Sequence, residues 1–267
     1  MNLTEVTFLL QSVLLMEEVS LKMCRLMGFV SSHPETFAVA AGGNLSEFIE
    51  LSAIHCDGWG ISALDHRATS VQLNKAAEIA RTSSNFISVI ENTCTDGALL
   101  HFRWATAGIP VSDTNSHPFT HDGYTFIHNG AIYPVDALNL YISDQFRQFI
   151  LGDTDSEKYF YFLLTEIKKF GLIEGIKSAL SIMRKIDYSS INAMILTDTK
   201  FITICEHDPE RKPSWASDGY YDLYFKITET DVVVASSGWN QHGWERLSNH
   251  QILVVDRLTL ATEVFAI

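Results

Sequence analysis

Cysteine is scarce in this sequence, with four residues at 24, 56, 94 and 205 and no CxxC pair. That excludes a disulfide framework and a paired-cysteine zinc site, and it points to a reducing compartment. Proline and glycine are few as well, 6 and 15 in 267 residues, and they are spread along the chain. No flexible joint, solenoid or low-complexity segment is therefore expected, and one large domain is a better reading than two small ones. Long apolar runs are also missing. TFLLQSVLLM at 7–16 is far short of a membrane span; it follows Glu5 in place of a basic segment and precedes Glu17 and Glu18 in place of a small-residue cleavage site. Neither secretion nor a membrane partner is indicated, so the expected location is cytoplasmic. Positive charge is short: 19 Lys and Arg stand against 32 Asp and Glu, a net −13. A phosphate backbone is repelled by such a chain, and no basic stripe counters that field, so nucleic acid is not an expected partner. GxGxxG, GxxxxGK(S/T) and HExxH are absent too, which removes the signals for a nucleotide cradle or a zinc protease; no cofactor and no metal is called for.

The elements that are present alternate between two periods. Residues 1–22 read as an amphipathic helical stretch, and the character changes at Lys22-Met23-Cys24 to a strand, CRLMGFVSS. SEFIELSAI at 46–54 has helical spacing with Ser46 as its cap, strands follow near 59–64 and 71–75, and a helix near 84–92. ALLHFRWAT at 98–106 is a strong strand, and YTFIHNG at 124–130 reads as a strand ending in an Asn-Gly turn. Two helices are expected at 156–171, with Gly171 as stop, and at 172–185; beyond 190 the short apolar runs are β. Strands, then two helices, then strands predict sheets sandwiched by helices, an α+β arrangement and not a doubly wound fold.

Four segments carry residue types suited to amide hydrolysis. In Met23-Cys24-Arg25, removal of a methionine ahead of a small residue would leave Cys24 at the terminus, with a free α-amine of pKa roughly 7.7–8.0 able to take the thiol proton. A buried strand cysteine is the alternative. Arg103 and Trp104, at the end of an apolar strand before Thr106, suit a bidentate carboxylate clamp with an aromatic wall, or a solubilising strand end. Asn129 and Gly130 can present a side-chain amide and a backbone N–H to one point, an oxyanion hole, although Asn-Gly is also a common hairpin turn. Asp155, just before the helix at 156, suits either a substrate ammonium or a helix cap.

Taken in order, Cys24, RWAT at 103–106, NSHPF at 115–119, HNG at 128–130 and TDSE at 154–157 resemble the class II glutamine amidotransferase domain of the N-terminal nucleophile hydrolases. The opening MCRLMG, HCDGWGIS at 55–62 and the lack of a synthase domain are similar to the single-domain branch, which includes bacterial glutamine amidotransferases and the γ-glutamyl amidohydrolase of ergothioneine biosynthesis. The resemblance spans residues 24–267. It implies a four-layer αββα sandwich of two antiparallel sheets, and hydrolysis of glutamine or a γ-glutamyl compound through a thioester. It further implies Cys24 as nucleophile, Asn129 and Gly130 as oxyanion donors, and Arg103 and Asp155 as holders of the α-carboxylate and α-amine. Trp104 and Thr106 would shape the pocket with His117 behind them, and Asp57, Gly58, Trp59 and Gly60 would form a turn at its entrance.

Two departures qualify this. Ala107 stands where many such domains carry a histidine, which loosens the identity of the γ-substituent. Residues 1–23 precede Cys24, and an amide-linked nitrogen has no lone pair for the thiol proton, so the chain as written is expected to be silent. A start at Met23 is the favoured explanation, ahead of a propeptide or an inactive γ-glutamyl-binding relative. An internal base drawn from His55, His101, His117 or His128 would tolerate the extension. Ammonia released or passed to a separate synthase, and a homodimer through the apolar helix at 156–167, complete the expectations about partners.

Overall fold

Continuous burial over most of the first strand, β1 (Arg25–Glu35), builds the layers. Met27 and Phe29 point into a core shared with Phe37, Phe48 and Phe86, while Leu26 and Val30 point into another shared with Ile127, Met194, Phe201 and Leu253. Successive strand side chains face opposite sides, so β1 is covered on both and its sheet is sandwiched. The computed structural model describes residues 23–66, 68, 70–106, 108–214 and 216–267; the helical reading of 1–22 and Ala107 lie outside the described residues.

The further strands are β2 (Gly58–Ala63), β3 (Gln72–Ala76), β4 (Thr95–Arg103), β5 (Phe119–His121), β6 (Tyr124–Tyr133) and β7 (Asp187–Leu196). They continue with β8 (Lys200–Cys205), β9 (Leu223–Ile227), β10 (Asp231–Ser236), β11 (Glu245–Leu247), β12 (Gln251–Asp256) and β13 (Thr262–Ala266). One sheet runs β11-β9-β10-β1-β4-β2-β3 and the other β13-β12-β8-β7-β6-β5, with antiparallel pairing throughout. The outer face of the first sheet is covered by α1 (Phe37–Ala41), α2 (Asn44–Glu50) and α3 (Ser84–Asn92). That of the second is covered by α4 (Asp144–Arg147), α5 (Asp155–Phe170) and α6 (Leu172–Met183). Helices, sheet, sheet and helices make the expected four-layer αββα sandwich.

Several local readings are corrected. The helix at 46–54 starts at Asn44 and ends in a 3₁₀ turn, Leu51–Ala53; Ser46 lies inside it, donating to the Gly43 carbonyl. Gly58, Trp59 and Gly60 open β2 as a buried strand and form no entrance turn. Gly60 is required there, because a Cβ would stand 2.0 Å from the His117 carbonyl oxygen. Asn129-Gly130 is not a hairpin turn: β6 runs on to Tyr133, paired with β7. Tyr159, Phe160, Phe162 and Leu163 of α5 are already in the core of this chain, so that helix offers no apolar face to a second copy. Among the described residues no helix is long and apolar enough to cross a membrane.

Candidate active site

Strand parity brings the site together. Cys24 precedes β1 in phase with Leu26 and Val30, so it belongs to the face between the sheets. On β4 the inter-sheet phase is Leu99, His101 and Arg103, and on β6 it is Ile127 and Asn129. The start of β1, the end of β4 and the middle of β6 thus converge. A small cavity, partly open to solvent, is lined there by Cys24, Arg103, Trp104, Thr106, His117, Gly130 and Asp155. Seven of the eight residues singled out in the sequence share that wall, and the eighth, Asn129, is buried directly before Gly130.

The Cys24 sulfur accepts from the Trp104 backbone N–H at 3.5 Å and lies 3.9 Å from the Trp104 carbonyl. Burial pushes the thiol up to about 11; the Trp104 N–H and the Arg103 and Arg25 charges offset this in part, while Asp155 adds to it. The residue is only partly exposed. Arg103 donates through Nη2 to the Pro110 carbonyl at 3.2 Å, and its Nη1 is buried without a partner. The Asn129 amide is likewise buried with neither Nδ2 nor Oδ1 bonded. Leaving such groups unpaired costs about 1–3 kcal/mol each, which a ligand that pairs them would recover.

Gly130 has φ of +153°, and a Cβ there would lie 1.7 Å from the Ser190 carbonyl oxygen, so only glycine lets β6 pass so close to β7. Asp155 is the first residue of α5, behind the cap Thr154, whose hydroxyl accepts from Glu157 N at 3.1 Å. This corrects the reading of Asp155 as a cap. Its Oδ2 accepts from Ile132 N at 2.7 Å, just beyond the register shift in β6, and ties the helix start to that strand.

The histidines are poor bases here. Burial holds His55 and His101 down to about 3 and pushes His117 well below its ordinary value. His101 and His117 stack with ring centroids 4.2 Å apart, and His128 Nδ1 meets Ser156 Oγ at 2.8 Å. Among the described residues no imidazole bonds the Cys24 sulfur. One group, Asp65, His66 and Asp96, gathers three ligand-type atoms within 4.8 Å of one another, but it lies outside the cavity wall and Asp96 already accepts from Arg257.

Asn115, Thr154 and Ser156 also line the cavity and were not singled out as site residues. Asn115 Nδ2 donates to the Pro110 carbonyl at 3.2 Å and its Oδ1 accepts from Asp153 N at 2.8 Å. One buried amide therefore links the loop that holds Arg103 to the loop that precedes Asp155. Both NSHPF and TDSE contain such residues, but nothing local marks a non-local polar tie. Asp57, too, is a tie: its Oδ2 accepts from Ala105 N at 2.8 Å.

Comparison with known proteins bears on the family and the fold. The model of the class II glutamine amidotransferases matches residues 23–201. The chain belongs to that family. The probable glutamine amidotransferase DUG3 of Saccharomyces cerevisiae is 36% identical over 103 residues, 37% of this chain and 29% of its own length. A glutamine–fructose-6-phosphate aminotransferase of Francisella tularensis is 27% identical over 133 residues, 48% of this chain and 21% of its own length. The chain thus spans under a third of these two members. Among solved structures, a glutamine aminotransferase class-II domain protein from Silicibacter pomeroyi superposes with a TM-score of 0.63 at 17% identity, covering 91% of this chain and all 100% of the other. The glutamine phosphoribosylpyrophosphate amidotransferase of B. subtilis does so at 0.58 and 22% identity, covering 90% and 49%. At these identities the structures bear on the fold alone.

Proposed function

We propose that this amidotransferase hydrolyses the side-chain amide of glutamine or of a γ-glutamyl compound through a thioester on Cys24, in a form that begins at Cys24. The supporting observation is the convergence on one cavity of a thiol, the half-unpaired guanidinium of Arg103 and the carboxylate of Asp155, beside the unpaired Asn129 amide. Arg103 clamps the α-carboxylate and Asp155 the α-ammonium, with Trp104 and Thr106 as walls. The Cys24 amine takes the thiol proton, sulfur attacks the γ-carbonyl carbon, and the oxyanion is met by Asn129 Nδ2 and the Gly130 N–H. Collapse breaks the C–N bond as the ammonium returns its proton to the departing nitrogen. Water, deprotonated by the same amine, then cleaves the thioester, releasing glutamate and the free thiol. His117, expected behind the pocket, is itself part of the wall, stacked on His101.

A thiol pushed up to about 11 needs such a base, and the buried histidines do not supply one. Because the chain spans only part of these longer relatives, passage of ammonia to a separate synthase is a second reading. The test is intact mass plus glutaminase assay on proteins started at Met1 and at Met23. Activity confined to species whose mass places Cys24 at the terminus is the expected result. Equal activity with residues 1–22 attached would move the proton transfer to an internal base.

A further inference from the structure

Met23, the last residue ahead of the nucleophile, is seated in the protein. Only 1% of its surface is exposed, and it packs with Ala216, Tyr220 and Tyr221. Its carbonyl accepts from His55 Nδ1 at 2.6 Å, and His55, held neutral by burial, carries its proton on that nitrogen to do so. The Arg25 guanidinium lies 4.3 Å over the Tyr220 ring and donates through Nη1 to the Cys24 carbonyl at 3.2 Å. That contact fastens the tyrosine wall to the nucleophile's own residue, independently of Met23. Tyr220 and Tyr221 also wall a neighbouring surface cleft, so the seat borders open space.

We propose that this seat, emptied in the form that begins at Cys24, binds the amine half of the substrate, and that this half is an apolar aminoacyl residue. The inference rests on the reading above that the active form begins at Cys24. In that mechanism the Cys24 amine returns a proton to the departing nitrogen, which must therefore lie within roughly 3 Å of the Cys24 nitrogen. The Met23 carbonyl carbon is bonded to that same nitrogen, so whatever replaces Met23 borders the departing group. The glutamyl half has its partners in the Arg103 and Asp155 cavity, whose wall includes none of Met23, His55 or Tyr220. The two spaces meet at Cys24. Ammonia would gain nothing from an apolar seat of methionine size, whereas an apolar side chain is buried there and a carbonyl beyond the departing nitrogen finds the His55 N–H.

The test uses protein whose mass places Cys24 at the terminus, assayed with glutamine, γ-glutamylglycine and γ-glutamylmethionine by release of ammonia, glycine and methionine. The expected kcat/KM for γ-glutamylmethionine exceeds those of the other two by about tenfold or more, the range that filling an apolar pocket provides. Ala216→Phe, which fills the seat, abolishes this preference and leaves glutamine turnover within about twofold; Ala216→Leu, a smaller filling, is a second variant in which the preference falls part of the way with the same expectation for glutamine. Equal kcat/KM for the three substrates, or parallel losses toward glutamine and γ-glutamylmethionine in both variants, would overturn the seat while leaving the glutaminase reading intact. Silence toward all three substrates would overturn both.

Discussion

Iodoacetamide reacts with a thiolate and not with a thiol, so its rate at Cys24 reports how the sulfur proton is held. In protein that keeps Met23 amide-linked, burial pushes the Cys24 thiol up to about 11. The thiolate fraction at pH 8 is then ~0.1%, and the rate climbs about tenfold per pH unit with no plateau below pH 10. In the proposed form that begins at Cys24, the adjacent amine, with a pKa of roughly 7.7–8.0, is expected to accept that proton. The rate at pH 8 should be at least ~100-fold higher, the lower end of what a positioned base contributes, and the profile should bend near the amine's own titration. The assay is alkylation from pH 6 to 10 read by peptide mass mapping, which separates Cys24 from Cys56, Cys94 and Cys205. Cys205 is a control within each sample: it is buried, with its thiol pushed up to about 12, and its rate should not differ between forms. Unbent, superimposable Cys24 profiles in the two proteins would refute the assignment of the amine as base.

Further outcomes follow from the cavity and from one remote pair. Asn129→Ala should lower kcat by roughly two to three orders of magnitude with KM little changed, as loss of an oxyanion donor does; an unchanged kcat in steady-state assays removes that role. Asn115→Ala strands the Asp153 N–H and leaves the Pro110 carbonyl with Arg103 as its remaining donor, so thermal melts should show a loss of about 2 kcal/mol together with a raised KM, while an unaltered KM would show that the tie does not position Arg103 and Asp155. Glu35 is pushed up to about 8 by burial and by its bond to Asp231, so the folded protein keeps a proton that the unfolded chain has released above about 4.5. That stabilisation is complete below pH 4.5 and is lost as pH rises toward 8. Glu35→Gln should flatten the fall in urea midpoint between pH 5 and 8, and an identical slope in the variant would place the linkage elsewhere.

The strands β1, β4 and β6 were legible because burial on both faces gives each a mostly apolar run, a local signal with one physical cause. The same phase that sends Leu99 between the sheets sends Arg103 there, so the position of that arginine was implicit in an apolar pattern. Asn129-Gly130 misled because hairpin chemistry and a close strand approach ask for the same residue; Gly130 is extended, with φ of +153°, and is fixed by the Ser190 carbonyl of β7, which no nearby residue announces. The stripe on α5 was visible as apolar, yet periodicity does not say what covers a face, and here it is β6 and β7 through Phe126 and Ile191.

Met23 poses the sharper case. As sequence it reads as a residue to be discarded, and nothing around it distinguishes a disposable methionine from a buried one. In the fold it fills a seat made by Ala216, Tyr220 and Tyr221, about 200 positions away, and its carbonyl meets His55. A seat built from such distant parts is held by the sandwich and by the Arg25–Tyr220 contact, not by the residue that occupies it. Removing Met23 to free the Cys24 amine would therefore open a shaped, apolar space beside the departing nitrogen, so the step that creates the base would also create room for the group that leaves.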